Sequence, residues 1–226
     1  MENKTQLYFV PGLAANTKIF EYIKLPEEKF EVHFLEWILP LSVEETIESY
    51  AKRMCSFIKH ENPILIGVSF GGVMVQEMSK QMSCEKVIII SSMKSNNELP
   101  VRLKLAQKTK AYKLFPTKIV ENIEDYEHLF FGDFLKKRAE LYKMYLSIRD
   151  ADYLQWAIHN VLNWEQDYEL EDIVHIHGNK DEVFPIKHIK NSIEVDNGTH
   201  IMILNKAKTI STILEKVCSS TVAASS

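Results

Sequence analysis

Cysteine is scarce in this 226-residue chain, which contains only Cys55, Cys84 and Cys218. An odd count without metal-ligand spacing argues against both a disulfide framework and a cysteine-based metal site. We interpret the three as free thiols and therefore expect a reducing compartment, the cytoplasm.

Long apolar runs and strong net charge are also missing. No stretch approaches the ~20 apolar residues needed to span a bilayer, and residues 1–5 show no signal-peptide pattern. The formal net charge is −4 and the pI is near 6.1, so we expect neither a nucleic acid nor a membrane as partner. The length fits one large domain or two small ones.

Glycine is sparse as well, with seven residues, yet three of them lie in Gly67-Val68-Ser69-Phe70-Gly71-Gly72. This hexapeptide directly follows the apolar run Ile64-Leu65-Ile66. Gly-x-Ser-x-Gly between a buried strand and a helix is typical of a nucleophile elbow, a sharp turn that presents its serine. Side chains two residues either side of that serine would collide with neighbouring elements. Ser69 is therefore our candidate nucleophile.

Short apolar runs alternate with helical patterns along the chain, which predicts an α/β fold with a mostly parallel sheet flanked by helices. The predicted strands are Leu7–Val10, Phe30–Leu35, Ile64–Gly67, Lys86–Ser91, Ile173–His177 and Ser192–Asp196.

Four helices accompany these strands. A capping box of Ser42 and Glu45 predicts the start of an amphipathic helix that continues to Ile58. Further helices are predicted from the elbow to about Met82, over Asp152–Trp164, and from about Ile201 to Val217.

Residues 93–149 break the alternation with helical patterns and no strand signal, so we predict a helical lid inserted after the fourth strand. Residues 1–92 and 150–218 would then form the core, and residues 219–226 a frayed tail. The lid segment contains 12 basic and 7 acidic residues. This excess of basic residues fits two interpretations. The segment could attract an anionic substrate, or its basic residues could simply form a solvated helix face.

A serine nucleophile needs a base and an acid that orients the base. Asp181 follows the fifth predicted strand, and His200 follows the sixth. Parallel strands place their carboxyl ends at one edge of the sheet, where all three residues can meet. Asp196 and Glu182 compete with Asp181 for the acid role.

With these residues in hand, the chain resembles the α/β-hydrolase superfamily over nearly its full length. The matching motifs are Gly67-x-Ser69-x-Gly71, His177-Gly178-x-x-Asp181-x-x-x-Pro185 and Gly198-x-His200. The resemblance implies that Ser69 is the nucleophile, His200 the general base and then acid, and Asp181 the group that holds the imidazolium. It also implies a minimal version of the fold that lacks the first antiparallel strand pair.

An oxyanion hole requires two backbone N–H groups. We expect one from Phe70 and the other from Leu13 rather than Ala14. The chain has Pro11-Gly12 where the family often has His-Gly. Proline donates no N–H, but the usual donor follows the glycine.

Aromatic residues offer walls for a substrate pocket, and we select Trp37, Tyr142 and Tyr145 as candidates. Core packing would suit a buried tryptophan equally well. His175 and His177 share one strand face, yet without a third ligand nearby we expect a buried pair and no metal.

These features predict a cytoplasmic serine hydrolase that cleaves a small or medium acyl ester or thioester through an acyl-enzyme, without a cofactor. A carbon–carbon bond hydrolase or lyase using the same triad remains an alternative, because one fold supports many reactions. A non-catalytic ligand-binding protein is the alternative from another class. The sequence does not determine the oligomeric state.

Overall fold

Six parallel strands form the centre of the computed structural model, which describes residues 4–110, 112, 144–146 and 148–220. The strands are β1 (Thr5–Val10), β2 (Phe30–Phe34), β3 (Ile64–Val68), β4 (Lys86–Ile90), β5 (Val174–Gly178) and β6 (Ile193–Val195). Their order in the sheet is β2-β1-β3-β4-β5-β6, and every neighbouring pair is parallel. The predicted α/β class and all six predicted strands are confirmed, with ends that differ by at most two residues.

Six α-helices lie in the described part of the chain. They are α1 (Ile47–Cys55), α2 (Phe70–Ser79), α3 (Val101–Thr109), α4 (Ala151–Leu162), α5 (Met202–Asn205) and α6 (Ala207–Ser219). None of these helices is long and apolar enough to cross a membrane.

Alternating side chains of the strands divide the core into two layers, as the pleat of a sheet requires. On one face, residues such as Tyr8, Leu65 and Ile89 pack with helices α1, α2 and α4. On the other face, residues such as Phe9 and Ile66 pack with helix α6. The sheet is thus buried on both sides, which explains why its central strands are almost continuously apolar.

The structure corrects the predicted start of one helix and the predicted continuity of another. Helix α1 begins after Thr46, whose hydroxyl accepts from the Ser49 N–H at 3.2 Å. The predicted capping box at Ser42 is wrong, because Thr46 and not Ser42 caps the helix. The Glu45 carboxylate instead accepts from the Leu41 N–H at 2.7 Å and from the Arg53 guanidinium. The predicted last helix is two helices, interrupted at Lys206, whose φ of −124° and ψ of 21° are not helical.

The predicted lid lies largely outside the described residues. Of its described part, α3 is helical, and Met93 and Leu99 belong to the buried core beside the sheet. Of the predicted tail, Ser219 ends α6, and residues 221–226 lie outside the described residues.

Candidate active site

Ser69 occupies the sharp turn between β3 and α2 and adopts a φ of 53° and a ψ of −119°. This backbone conformation is costly for any residue other than glycine and is maintained by its surroundings. A Cβ at Gly67 would lie 2.1 Å from the Gly71 carbonyl oxygen, and one at Gly71 would lie 2.3 Å from the Pro11 carbonyl oxygen. The two glycines of the motif therefore permit the close approach that the turn requires.

Hydrogen bonds from β4 and the loop that follows it hold the turn in place. The Ser69 N–H donates to the Ile90 carbonyl at 2.9 Å. The Ser92 hydroxyl donates to the Ser69 carbonyl at 2.7 Å. Both bonds use backbone groups of Ser69, so its hydroxyl remains available for chemistry.

His200 lies between β6 and α5, and its ring joins the serine to a carboxylate. Its Nε2 is 2.9 Å from the Ser69 Oγ, and its Nδ1 is 2.9 Å from the Asp181 Oδ2. A carboxylate only accepts hydrogen bonds, so Nδ1 carries the proton and Nε2 accepts a hydrogen bond from the Ser69 hydroxyl. This arrangement matches the geometry of a nucleophile, a base and an orienting acid.

Asp181 is buried in the loop after β5, with a relative exposure of 4%. Its Oδ1 accepts from the Val183 and Phe184 N–H groups at 2.8 and 2.9 Å. Burial alone would raise the pKa of Asp181, but the His200 imidazole, the neighbouring His177 and the backbone N–H of Phe184 lower it below its usual value. The carboxylate therefore stays charged against His200.

The structure places the two competing carboxylates elsewhere. Asp196 is exposed and accepts from the side-chain amides of Asn179 and Asn197. Glu182 is also exposed. Of the three candidate acids, only Asp181 hydrogen-bonds to His200 among the contacts that the structure describes.

The two expected oxyanion donors both lie beside the serine. Neither the Leu13 N–H nor the Phe70 N–H donates to another group within the described residues. The Ala14 N–H, by contrast, points to the Tyr153 hydroxyl at 3.4 Å. A free N–H can bind a developing negative charge and an occupied one cannot, so this geometry favours Leu13 over Ala14.

A cavity of about 70 Å³ opens next to the serine and has mostly apolar walls. Its lining includes Ser69, His200, Leu13, Ile19, Tyr145 and Ile203. Tyr145 thus lines the cavity beside the serine, and its hydroxyl donates to the Glu21 carboxylate. Tyr142, the other selected tyrosine, lies outside the described residues.

Trp37 is not among the described residues that line this cavity, and its role in substrate binding stays a prediction. Its ring is buried and stacks on Phe70, with centroids 5.2 Å apart. The indole N–H donates to the Gly12 carbonyl at 2.9 Å. Trp37 therefore packs in the core and supports, from behind, the loop that carries the Leu13 N–H.

His175 and His177 form the buried pair that their spacing predicted, with His175 Nε2 3.0 Å from His177 Nδ1. Burial lowers the pKa of both histidines, and for His175 the neighbouring His177 lowers the pKa further. Among the described residues, no group of three or more histidine, cysteine, aspartate or glutamate side chains could hold a metal ion.

Sequence reasoning did not identify the support that two residues give the site from behind. Tyr153 reaches the Gly12–Ala14 loop from α4, and His177 reaches the Asp181 loop from β5. Helical and strand periodicity marks both as inward-facing, but periodicity carries no signal for the loop that each contacts.

No family model matches this chain, and no curated protein matches its sequence. Solved structures do match its fold. A hydrolase from Pseudomonas aeruginosa PA01 is 14% identical with a TM-score of 0.72, and the match covers 97% of this chain and 92% of that one. A lipase-esterase related protein from Clostridium acetobutylicum ATCC 824 is 17% identical with a TM-score of 0.66, over 95% of both chains.

A third match comes from a study of epoxide hydrolases of the α/β-hydrolase superfamily in metagenomes from hot environments. It is 10% identical with a TM-score of 0.67, and the match covers 95% of this chain and 90% of that one. These matches cover at least 95% of this chain, which includes its parallel sheet and the turn between β3 and α2. The chain therefore has the fold of the α/β-hydrolase superfamily.

Proposed function

We propose that the chain is a serine hydrolase that cleaves a small or medium acyl ester or thioester through an acyl-enzyme. The observation that carries this proposal is the hydrogen-bonded chain from Ser69 through His200 to Asp181, at 2.9 Å for each step. Its serine end opens on a cavity with apolar walls.

In the first half of the reaction, Ser69 Oγ attacks the carbonyl carbon while His200 Nε2 takes the hydroxyl proton. The Asp181 carboxylate stabilises the resulting imidazolium through the proton on Nδ1. The carbonyl oxygen becomes negatively charged and binds the Leu13 and Phe70 N–H groups. Collapse of this intermediate expels the alcohol or thiol, which takes the proton from Nε2.

In the second half, water replaces the leaving group. His200 Nε2 removes a proton from that water, and the hydroxide attacks the acyl-serine carbonyl carbon. The same two backbone N–H groups bind the second oxyanion. Collapse of this second intermediate breaks the bond between the acyl carbon and Ser69 Oγ, which takes the proton back from His200 Nε2 as the carboxylic acid leaves. No step of this chemistry requires a cofactor.

The cavity supports an apolar acyl group of modest size. Leu13, Ile19 and Ile203 line it, and its volume is about 70 Å³. Apolar surface removed from water on binding contributes about 25 cal/mol per Å², so a short acyl chain gains affinity there. We infer that the partner is a small-molecule acyl substrate. The free thiols Cys55, Cys84 and Cys218 support a cytoplasmic location.

Hydrolysis of p-nitrophenyl esters from acetate to decanoate tests the proposal. Wild-type protein should turn over the shorter esters faster, and Ser69→Ala should abolish turnover and fluorophosphonate labelling without unfolding. Ser79→Ala, at the other end of α2, is the matched control and should keep both activities. Turnover retained by Ser69→Ala would show that Ser69 is not the nucleophile.

The alternatives give other results in the same assay. A carbon–carbon bond hydrolase or lyase would react with the fluorophosphonate at Ser69 but leave every ester and a short-chain acyl thioester intact. A folded protein that is neither labelled nor active would be a ligand-binding relative.

A further inference from the structure

The third glycine of the elbow hexapeptide, Gly72, has a different role from the other two. Gly67 and Gly71 allow backbone segments to approach each other at the serine turn. A Cβ at Gly72 would instead lie 2.4 Å from the Ser92 hydroxyl oxygen and 2.5 Å from the Ser92 Cβ. A Cβ cannot come this close to another atom unless one of them moves. Gly72 therefore leaves the space that the Ser92 side chain occupies.

Ser92 is fully buried in the loop after β4, and both of its neighbours fix that loop in place. The preceding residue, Ser91, has a φ of 48°, in the left-handed region, and its N–H donates to the Ile176 carbonyl of β5 at 3.0 Å. The carbonyl of the following residue, Met93, accepts from the Gln76 side-chain amide of α2 at 3.0 Å. A strained backbone of this kind persists where the surroundings determine it fully. The position of the Ser92 hydroxyl is therefore fixed from two sides.

The Ser92 hydroxyl binds one end of a peptide unit whose other end is the expected oxyanion donor. A carbonyl only accepts, so the hydroxyl donates to the Ser69 carbonyl, at 2.7 Å. That carbonyl and the Phe70 N–H belong to the same peptide unit, which is planar and, in its trans form, directs the two groups in opposite directions. A bond that fixes the direction of the Ser69 carbonyl therefore also fixes the direction of the Phe70 N–H.

The Ser69 carbonyl accepts a second hydrogen bond, from the Gly72 N–H at 2.8 Å. Two donors on one carbonyl polarise the peptide unit, so its N–H becomes a stronger donor. Phe70 is the first residue of α2, and its N–H therefore has no acceptor within the helix. This peptide unit is thus held at its carbonyl and open at its N–H, which is the arrangement that an oxyanion donor requires.

We propose that Ser92 is a positioning residue of the oxyanion hole, whose hydroxyl orients the Ser69–Phe70 peptide so that the Phe70 N–H meets the developing negative charge. Gly72 belongs to the same device, because its missing side chain admits the Ser92 hydroxyl. Ser92 acts through this peptide and is not among the described residues that line the cavity. The inference rests on the proposed hydrolase function.

Ser92→Ala removes the hydroxyl and keeps the Cβ, so it tests the bond to the Ser69 carbonyl. The Phe70 N–H is still present in this variant but is oriented by the Gly72 N–H alone. Complete loss of an oxyanion donor lowers the rate by about 100- to 1000-fold, so a donor that is only misdirected should lower kcat about tenfold. KM should stay nearly unchanged, because the hole binds the charge of the transition state. Steady-state kinetics on the best p-nitrophenyl ester measures both values.

Ser91→Ala is the matched control. The Ser91 hydroxyl is as deeply buried as that of Ser92, but it has no hydrogen-bond partner within the described residues. Alanine also carries a Cβ, so it meets the same backbone strain as serine, and it keeps the N–H that binds Ile176. This variant should keep the wild-type kcat and KM. Equal losses in Ser91→Ala and Ser92→Ala would show that the bond to Ser69 is not the cause, which overturns the proposal.

The time course of fluorophosphonate labelling separates positioning from stability. Ser69 Oγ attacks phosphorus and displaces fluoride, and negative charge develops on the phosphoryl oxygen in the oxyanion hole, so the labelling rate depends on the hole. The fraction labelled at completion depends on how much protein is folded. Ser92→Ala should label about tenfold more slowly than wild type but to the same final fraction. A lower final fraction at an unchanged rate would leave Ser92 only a structural role and overturn the proposal.

Failure of this inference and failure of the proposed function give different results. If wild type hydrolyses esters and Ser92→Ala keeps its kcat and labelling rate, the role of Ser92 is refuted and the hydrolase function stands. If wild type is labelled at Ser69 but hydrolyses no ester, the ester function is refuted, and the labelling rates of the two serine variants still decide the role of Ser92. If wild type is not labelled at Ser69, both proposals are refuted.

Discussion

The Nε2 atom of His177 lies 2.8 Å from the carbonyl oxygen of Phe184, and the N–H of that same Phe184 donates to Asp181. A carbonyl only accepts, so His177 Nε2 carries the proton. The buried His177 ring thus fixes Phe184 in place. Phe184 in turn fixes the carboxylate of Asp181, the proposed catalytic acid. We interpret His177 as a positioning residue, because it acts on His200 only through Asp181 and its loop.

Removal of this support should slow catalysis without weakening binding. In His177→Leu the Phe184 carbonyl loses its donor, and the Asp181 loop loses its anchor. Displacement of a catalytic group by about 1 Å can cost on the order of 100-fold in rate, so we expect kcat to fall about tenfold to 100-fold with KM nearly unchanged. Steady-state kinetics on the best p-nitrophenyl ester measures both values.

His177→Gln is the matched control for this experiment, since its side-chain amide can still donate to the Phe184 carbonyl. It should recover most of the lost kcat. If both variants lose the same activity in proportion to their loss of thermal stability, His177 has only a structural role.

Trp37 should help to position the Leu13 N–H of the proposed oxyanion hole, because its indole binds the neighbouring Gly12 carbonyl. Trp37→Phe keeps most of the buried ring but loses the N–H that binds the Gly12 carbonyl. Complete loss of an oxyanion donor lowers kcat about 100- to 1000-fold. Trp37→Phe keeps the Leu13 N–H and only weakens the support of its loop, so we expect kcat to fall about tenfold. Trp164→Phe is the control, because it loses a comparable buried bond, to Glu77, outside this loop. Equal kcat values for Trp37→Phe and Trp164→Phe would contradict this role of Trp37.

Asp181 and Asp196 can be separated by matched substitutions. Asp181→Asn removes the charge that stabilises the His200 imidazolium and should lower kcat about 10⁴-fold. Asp196→Asn changes an exposed side chain that contacts two asparagines, and its kcat should stay within about twofold of wild type. The reverse result would assign the acid role to Asp196.

The buried histidine pair should make the fold sensitive to mild acid. Burial lowers the pKa of His175 and His177, so below about pH 6.5 the unfolded chain binds protons that the folded chain does not. The free energy of unfolding should therefore fall as pH falls from 7.5 to 5.5. Each proton that is taken up on unfolding adds up to about 1.4 kcal/mol per pH unit to the slope of the free energy of unfolding against pH.

Denaturant unfolding at several pH values measures this slope. His175→Leu should reduce it by about one proton, whereas Ile176→Val, at the next position of β5, should lower stability at every pH and leave the slope unchanged. An unchanged slope in His175→Leu would show that the pair does not cause the acid sensitivity.

The sequence by itself was enough for the α/β class, the six strands and the positions of Ser69, His200 and the candidate acids. The physical reason is local. Strands and helices have different hydrophobic periods, and the Gly-x-Ser-x-Gly turn needs its glycines for steric reasons. Residues that follow parallel strands meet at one edge of the sheet, so their order in the chain already predicts their proximity.

Only the tertiary structure decided which groups touch. Asp181 rather than Asp196 binds His200, because the loop after β5 buries one carboxylate and leaves the other exposed. Trp37 turns to Gly12 rather than to the cavity, because its ring packs on Phe70. Spacing along the chain determines which face of an element a residue occupies, whereas packing between distant elements determines which atom that side chain meets.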